Sequence, residues 1–346
     1  LASGRIDYNM NKILVIGVIP PPIGGVSIHI DRFVNLYTDK EFDLRVIDLR
    51  ERRMYKKGNK IIKNYLKILI FIFTSKIVHI HISHNYMKLI IAFLSKILLK
   101  RVVYTHHNSV INNKIIFKLM YKICDHIILV NDKEIDSKLI LPNKTSVIPS
   151  FLPPYKFEEL PIKIEKEIMN YKYIISTNCF SNGHINGRHI YGFDLIINAF
   201  HSLSLDNRIS NALLLLVDPS NSTKQFVNSF IYGLNFKTNK LIIINNKIDF
   251  VSLIKKSTVT IRATRTDGDS LSIRESLYFN TPIIASSVTK RPEGTIIFQN
   301  DNAKDLANKI FSVLDKKNKL SYHHIDYGKE ITNLYKKILQ EKRGHA

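Results

Sequence analysis

Two carboxylates mark the stretch of this chain with the clearest chemical potential. Asp267 lies in a polar Asp-Gly-Asp-Ser turn that follows an apolar run, and Glu275 lies eight residues further on, in a segment with helical spacing. The start of a helix exposes backbone N–H groups that bind anions, phosphate above all. A carboxylate one or two turns into the helix can accept hydrogen bonds from the hydroxyls of a ribose or another sugar. The pattern therefore outlines a site for a nucleotide sugar.

Three arginines accompany this turn: Arg262, Arg265 and Arg274. Asp269 or Ser270 would be an ordinary N-cap for the helix. A cap alone does not account for three cations beside a turn whose amides already favour an anion. We therefore expect a diphosphate to bind here.

Composition limits the classes of function. The chain has 346 residues, 45% of them hydrophobic, and a formal net charge of +22. This length favours two domains, and the charge favours anionic partners such as nucleic acid, anionic lipid or phosphorylated substrates. Cys124 and Cys179 form no CxxC pair, which favours two ordinary thiols in a reducing compartment. We expect Met10 to be the natural start, and no apolar run approaches the roughly 20 residues that span a membrane.

Short apolar runs alternate with helically spaced segments, which predicts an α/β fold with parallel sheets and helices on both faces. One series runs from Lys12 to Ile148, the proline-rich stretch Phe151 to Ile164 interrupts it, and a second series begins at Tyr173. We predict two doubly wound, Rossmann-like domains, residues 10–152 and 165–325. Ligands of such sheets bind at the carboxyl ends of the strands, so the cleft between the domains is the expected site.

Gly24 and Gly25 follow the first apolar run. Two glycines allow either a close approach of the backbone to a ligand or a tight turn from strand to helix. The segment is neither G-x-G-x-x-G nor a Walker loop, so the pattern does not support dinucleotide or ATP binding.

Several histidines of the first domain lie at or near strand ends: His79, His81, His84, His106 and His107. Their spacing matches no metal-binding motif, and we predict no metal site. His107 follows a strand at the edge where ligands gather, where it could contact a sugar hydroxyl or a phosphate.

Three further segments leave two interpretations open. Lys56 to Lys76 and Lys114 to Lys122 combine lysines with apolar residues. They could dock on an anionic membrane, or they could be core-facing helices with a solvated lysine face. Asn178 to Gly192 is a polar loop that either reaches a phosphate through Arg188 or simply lies at the surface.

The residues resemble a known family. Asp267-Gly268-x-x-Leu271-x-x-x-Glu275-Ser276, followed by Asn280 to Ser286, is similar to the E-G-F-G-L-x-x-x-E-A…G-x-P-V-I-A-S signature of retaining GT-B glycosyltransferases, family 4. The Gly24-Gly25 turn, Thr105 to His107 and Tyr191 to Leu195 follow the order of that family. The resemblance extends from Lys12 to about Leu314 and is closest to bacterial surface-polysaccharide enzymes.

The resemblance implies a role for each matching residue. Glu275 would hold the ribose hydroxyls and Asp267 the hydroxyls of the donor sugar. Amides of the Gly268-Asp269-Ser270-Leu271 segment would meet the diphosphate and sugar. Gly24 and Gly25 would approach the donor phosphate, and His107 would lie beside the transferred sugar. It also implies that the C-terminal helix, in residues 326–346, returns to the first domain.

The sequence departs from the family pattern at three places. Asp267 replaces the usual Glu, Asp269-Ser270 replaces Phe-Gly, and Tyr191 stands where a phosphate-binding Lys is usual. Another cation must therefore serve the diphosphate, and we expect Arg262 or Arg265 to do so. We assign Asp267, His107 and Arg262 to catalysis and the other matching residues, with Arg265, to donor binding.

With the resemblance, which implies retention of the anomeric configuration, these patterns predict a metal-independent glycosyltransferase without a cofactor. Its donor would be a nucleotide-diphosphate sugar, a UDP-sugar rather than a GDP-sugar, and its acceptor a polysaccharide or a lipid-linked glycan. We expect a cytoplasmic protein, peripheral on the inner face of the cell membrane. Two alternatives are a nucleotide-sugar 2-epimerase of the same fold and a basic nucleic-acid-binding protein. The second has no recognised nucleic-acid-binding motif, so nucleic acid is not an expected partner.

Overall fold

The computed structural model describes residues 10–21, 24–39, 41–48, 50–51, 53–62, 64–107, 111, 113–131, 143–180, 183–315 and 325–341. The chain forms two compact units, Leu1–Tyr155 with Ile325–Ala346, and Lys156–His324. The helix predicted over Asp132 to Ile140 lies outside the described residues.

The first unit is built on sheet A, whose described strands follow the order β4-β3-β2-β1-β5-β6-β7-β8. These strands are β1 (Asn11–Gly17), β2 (Phe42–Asp48), β3 (Arg53–Lys56), β4 (Lys60–Ile62), β5 (Ile77–Ile80), β6 (Arg101–His106), β7 (His126–Leu129) and β8 (Thr145–Val147). The helices between them are α1 (Gly25–Tyr37), α2 (Tyr65–Thr74), α3 (Asn85–Ile97) and α4 (Lys114–Ile123). All strand pairs are parallel except those made by β3 and β4.

Sheet A is covered on both faces, which explains the nearly continuous apolar runs of its strands. On β1, Leu14 and Ile16 pack on the side that carries α2, α3 and α4. Ile13 and Val15 point to the opposite side, where α1 packs. This alternation follows from the two-residue period of a strand.

The predicted basic helix Lys56 to Lys76 is wrong in its first half. Lys56 to Ile62 belong to an antiparallel hairpin, with Gly58 in the left-handed region at φ +74°. β3 lies between β2 and β4 in sheet A, so its backbone bonds are satisfied by the sheet rather than within a helix. The helix begins only at Tyr65, capped by Asn64, whose side chain accepts a bond from the Lys67 amide.

The second unit is built on the parallel sheet B, whose described strands follow the order β13-β12-β9-β14-β15-β16. Its strands, with a short separate hairpin of β10 and β11, are β9 (Tyr173–Asn178), β10 (His184–Ile185), β11 (Arg188–His189), β12 (Ala212–Val217), β13 (Lys240–Ile244), β14 (Val259–Arg262), β15 (Ile283–Ser286) and β16 (Ile296–Phe298). Its helices are α5 (Ile162–Ile168), α6 (Phe193–Leu205), α7 (Lys224–Ile231), α8 (Phe250–Lys256), α9 (Leu271–Tyr278) and α10 (Ala303–Asp315).

The predicted fold class, two α/β domains with parallel sheets, is confirmed. The sequence patterns missed α5, which begins at the end of the proline-rich stretch, the β10–β11 hairpin and β16. These elements are short, and segments of two to seven residues carry too little periodicity to be recognised.

The last described helix, α11 (Tyr327–Gln340), lies against the first unit. Ile331, Tyr335 and Ile338 join the cluster that contains Ile13 of β1. The Tyr335 hydroxyl, fully buried, lies 2.5 Å from Nδ1 of His79. α11 therefore covers the same face of sheet A as α1.

Candidate functional site

The Asp-Gly-Asp-Ser turn lies at the topological switch point of sheet B. From β9 the chain moves outward to β12 and β13, and it then returns to place β14 on the other side of β9. The connections that follow β9 and β14 therefore lead away in opposite directions from the carboxyl edge of the sheet. Open α/β sheets bind their ligands at this point. Gly192, at φ +67°, lets these loops touch, since a Cβ there would lie 2.1 Å from the Ala263 carbonyl oxygen.

Asp267 is the centre of a buried charge cluster. Arg262 donates to its two carboxylate oxygens from Nε and Nη2, at 3.1 and 3.0 Å. Arg291 donates from Nη1 to Oδ2 at 2.7 Å, and the Thr264 hydroxyl donates to the same oxygen at 3.1 Å. The side chains of Asp267 and Arg291 are 7% and 1% exposed. The structure thus brings together two predicted site residues, Asp267 and Arg262.

The cluster keeps its charges. Burial favours the neutral acid, but the charges and hydrogen bonds of Arg262 and Arg291 outweigh it and lower the pKa of Asp267 below its ordinary value. Two guanidinium groups face one carboxylate, which leaves an excess of one positive charge. That charge lies at the sheet edge where the turn offers backbone amides.

Sequence reasoning missed Arg291. It follows β15, 24 residues after Asp267, and it also donates from Nε to the Ser286 carbonyl at 3.0 Å. β14 and β15 are neighbours in sheet B, so the loops after both strands emerge at one edge. Knowing that strand order would have pointed to the loop, although not to the arginine itself.

The start of α9 follows the cluster directly. Ser270 is the N-cap, but its side chain makes no cap hydrogen bond, and Asp269 instead accepts from Nε of Arg274 at 2.7 Å. A Cβ at Gly268 would meet no atom within 4 Å, so this turn leaves open space beside its backbone. Leu271 begins the helix, and Glu275 lies in its second turn, where it is 5% exposed.

Arg265, predicted to bind the diphosphate, has other partners in this structure. It makes a two-pronged pair with Asp194 at 2.8 Å and donates to Asp301 and to the His189 carbonyl. These bonds use four of its five N–H groups and tie the two switch-point loops together. Arg265 is therefore a weaker candidate for the diphosphate contact than Arg262. Arg188, on β11, is 61% exposed and lies 3.5 Å from Asp301.

The remaining predicted residues lie in the first unit, at the carboxyl edge of sheet A. Gly24 is the N-cap of α1, and a Cβ at Gly25 would meet no atom within 4 Å. His107 follows β6, with its Nε2 at 2.8 Å from Nδ1 of His81. The ring of His29, on α1, lies 5.6 Å from the ring of His107 and connects it to the helix that Gly24 begins.

These histidines are neutral near pH 7. Burial lowers the pKa of His29 to about 4, opposed by its bond to the Ser150 carbonyl and assisted by the charge of Arg32. Burial also holds the pKa of His79, His81 and His107 well below the ordinary value. A neutral His107 can bond to a sugar hydroxyl, but it brings no positive charge to a phosphate.

The buried histidines predict a loss of stability in mild acid. Between about pH 7 and pH 5 the unfolded chain takes up protons that the folded unit cannot, so the free energy of unfolding decreases as the pH falls. With a folded pKa of about 4 against 6.5, His29 alone contributes a loss of about 2 kcal/mol by about pH 5. Urea unfolding followed by circular dichroism across this range measures the slope. His29→Gln is expected to reduce the slope of the free energy of unfolding against pH, with the remainder due to the other buried histidines. An unchanged slope would contradict this account.

The described residues lack two features. They contain no group of three or more His, Cys, Asp or Glu side chains placed to hold a metal ion. Among their helices, none combines the length and the apolar character needed to cross a membrane.

Comparison with known proteins gives the fold. No family of known sequences and no curated protein matches the chain. Among solved structures, a glycosyltransferase from Rickettsia africae matches with 17% identity and a TM-score of 0.68, over 97% of this chain and 100% of that one. HepE from Anabaena, in complex with UDP and glucose, matches with 12% identity and a TM-score of 0.63, over 95% and 100%.

A third structure is a putative UDP-N-acetylglucosamine 2-epimerase from Listeria monocytogenes. It matches with 13% identity and a TM-score of 0.62, over 97% of this chain and 99% of that one. All three likenesses extend over nearly the whole of both chains. The protein therefore has the GT-B fold, with two parallel-sheet α/β domains.

Proposed function

We propose that this protein is a glycosyltransferase that transfers a sugar from a nucleotide-diphosphate sugar to a glycan or lipid-linked acceptor. One observation carries the proposal: the Asp267 to Glu275 segment lies at the switch point of sheet B, with a buried excess of positive charge before the helix and a buried carboxylate within it. The positive charge suits a diphosphate, and the carboxylate suits the hydroxyls of a ribose. The GT-B fold, shared with HepE bound to UDP and glucose, supports a UDP-sugar as donor.

The cluster suggests how the leaving group is stabilised. As the bond between sugar and diphosphate breaks, negative charge builds up on the diphosphate, and stabilising that charge is the main catalytic task. Arg262 is held by Asp267 through Nε and Nη2 and lies with its guanidinium 5.3 Å from the centre of the Tyr191 ring. We propose that Arg262 and the first amides of α9 stabilise the diphosphate without a metal ion.

Asp267 receives a revised role in this proposal. Its carboxylate accepts bonds from two arginines and a threonine, so it positions Arg262 and Arg291. The predicted contact with the donor sugar remains a prediction, as do the contact of His107 with the sugar and retention of the anomeric configuration. The predicted cytoplasmic location is likewise part of the proposal.

Gly268 offers a test of the donor site that leaves the fold intact. Gly268→Ala adds a methyl group to open space at a residue without a positive φ, so stability should change by less than about 0.5 kcal/mol. If the diphosphate approaches this backbone, affinity for UDP should fall at least about tenfold, a cost of about 1.4 kcal/mol.

Gly192→Ala is the contrasting variant. Its Cβ would collide with the Ala263 carbonyl and its φ is +67°, so it should lower the melting temperature. Calorimetric titration of both variants with UDP, after a melting-temperature measurement, separates the effects. Unchanged UDP affinity in a stable Gly268→Ala protein would contradict the close approach.

The function itself is tested in two stages. A thermal-shift screen of UDP-sugars and GDP-sugars identifies the donor, and transfer is then measured with membrane glycolipid as acceptor, with and without a chelator. We expect a UDP-sugar to stabilise the protein and transfer to survive chelation. Loss of transfer that manganese restores would contradict metal independence.

The epimerase remains the second candidate, because the Listeria protein matches as well as HepE does. The two functions differ in their need for an acceptor. Conversion of free UDP-N-acetylglucosamine to its 2-epimer without any acceptor would favour the epimerase. Release of UDP only when acceptor is present would favour the transferase.

A further inference from the structure

Three helices form a single layer on one face of sheet A. Phe71 of α2, Ala92 of α3 and Phe117 of α4 all enter the apolar cluster that lies under this face. The opposite face is covered by α1 and α11. We call the outer surface of α2, α3 and α4, with Leu98 and Leu99 at the end of α3, the docking face.

The docking face is unusually apolar. Among the described residues, 24 large apolar side chains are exposed, and 14 of them lie on this face. They are Leu66, Leu69, Ile70, Phe73, Tyr86, Met87, Ile90, Phe93, Leu94, Ile97, Leu98, Leu99, Ile115 and Leu119. None lies on α1 or α11, which cover the other side of the same sheet. Contiguous exposed apolar surface of this kind marks an interaction site.

Helix α3 buries small and polar residues and exposes most of its large apolar ones. Its buried residues are Lys88, Ala92 and Ser95, and Lys88 donates to the buried Tyr104 hydroxyl at 3.2 Å. Leu89 and Ile91 pack against the core, but most of its large apolar side chains are exposed, Ile90 and Phe93 by 51% and 57%. A helix whose only task was to cover the sheet would turn these residues inward. The core-facing alternative left open for Lys114 to Lys122 describes α4 in part. Ile116, Phe117 and Met120 are buried there, whereas Ile115 and Leu119 remain exposed.

Charge identifies the partner. From Arg52 to Cys124 the chain has 15 Lys and Arg and no Asp or Glu, out of a net charge of +22. Lys67 of α2 is exposed, as are Lys114, Lys118 and Lys122, which follow one another at helical spacing on α4 beside Ile115 and Leu119. Lysines that flank exposed apolar side chains match a bilayer with anionic headgroups and an acyl interior.

We propose that the docking face binds the surface of a membrane that contains anionic phospholipids. The lysines would lie among the headgroups, and the apolar side chains of α3 and α2 would enter the boundary of the acyl chains. The helices of this face are 10, 13 and 10 residues long, so they would lie on the bilayer without crossing it. The inference does not depend on the proposed enzymatic activity.

Two other partners fit less well. Two copies of this face would bring charges of the same sign together, which opposes a dimer. Nucleic acid would match the lysines, but it would leave most of the apolar side chains in water. Both are outcomes that the following experiment can detect.

The first test is co-sedimentation of the full chain with vesicles. We expect binding to vesicles of equal parts phosphatidylcholine and phosphatidylglycerol, weakening with salt, and little binding to phosphatidylcholine alone. Replacing Lys67, Lys118 and Lys122 with Gln should lower the partition coefficient about a hundredfold, at roughly fivefold per lysine. The triple variant Ile90→Ser, Phe93→Ser, Ile97→Ser should lower it at least about tenfold.

A matched variant controls for general loss of apolar surface. Ile162→Ser, Met169→Ser, Tyr232→Ser removes three side chains of the second unit that are 72%, 79% and 90% exposed. It should bind vesicles as the unchanged protein does. Equal binding by the α3 variant and this control would overturn the proposal. The proposal would also be overturned if the unchanged protein self-associates in sedimentation equilibrium and the α3 variant does not. The same holds if the unchanged protein binds RNA in filter binding and the α3 variant does not.

A spectroscopic test does not depend on removing side chains. The chain contains no tryptophan, so Phe93→Trp introduces a single fluorescent reporter on α3. With the mixed vesicles its emission should shift to shorter wavelength and be quenched by brominated acyl chains. Tyr232→Trp, in the second unit, should show neither change. A Phe93→Trp protein that binds vesicles with no shift and no quenching would overturn insertion of this face.

Discussion

Asp267→Asn is expected to destabilise the second unit by about 3–5 kcal/mol, the cost of removing one partner from a buried ion pair. The carboxylate lies between Arg262 and Arg291 and is 7% exposed. Its loss leaves the guanidinium groups of Arg262 and Arg291 without the carboxylate that they share in a largely buried place. Hydrogen exchange of β14 and β15 should speed up, and calorimetry should show a lower melting temperature.

A second substitution tests the cause of this loss. Arg291→Met removes one of the two cations. Asp267→Asn should therefore lower the free energy of unfolding less in the Arg291→Met protein than in the unchanged protein. Glu167→Ala, at an exposed pair with Lys240, is the control and should leave the melting temperature unchanged. If Asp267→Asn unfolds no more easily than this control, the carboxylate does not hold the two arginines in place.

Glu275→Ala is expected to weaken binding of UDP about ten- to a hundredfold, the worth of a hydrogen bond to a charged group at about 1.5–3 kcal/mol. The expectation rests on the proposed ribose contact, on the 5% exposure of Glu275 and on its position two turns into α9. Glu275→Gln retains an acceptor oxygen and should lose less. Isothermal titration with UDP gives the affinities.

The nucleotide can be altered as well as the protein. If Glu275 accepts bonds from the ribose, 2′-deoxy-UDP or 3′-deoxy-UDP should bind the unchanged protein more weakly than UDP. The Glu275→Ala protein should then bind UDP and the weaker deoxy analogue about equally. An unaltered UDP affinity, or an unaltered preference for the hydroxyl, would remove the ribose role from Glu275.

The net charge of +22 is concentrated in one part of the chain. Over two thirds of the excess lies between Arg52 and Cys124, and the surface helices there also expose large apolar side chains. A lipid-linked acceptor would be met at the surface that this face binds. The switch-point cluster of the second unit uses positive charge differently, because its arginines are buried and paired with acids.

The sequence alone determined the alternation of strands and helices and the position of the Asp267 to Glu275 segment. Buried parallel strands are short apolar runs, and a turn before a helix has a recognisable composition, so both signals are local. The same locality explains the error at Lys56 to Ile62. A lysine-rich stretch with apolar residues suits a helix. Its actual hairpin depends on β3, whose residues Arg53 to Tyr55 pair with β2, a strand further back in the chain.

Only the tertiary structure decided the partners and the exposed faces. Arg291 meets Asp267 because β14 and β15 are adjacent, and Arg265 meets Asp194 because the loops after β9 and β14 touch. Such contacts join residues 24 and 71 positions apart, beyond the reach of any local pattern. On α3, Ile90, Phe93 and Ile97 have a spacing that suits a buried or an exposed stripe equally. Which side of the helix faces the sheet is settled by packing, and here the packing leaves these side chains outside.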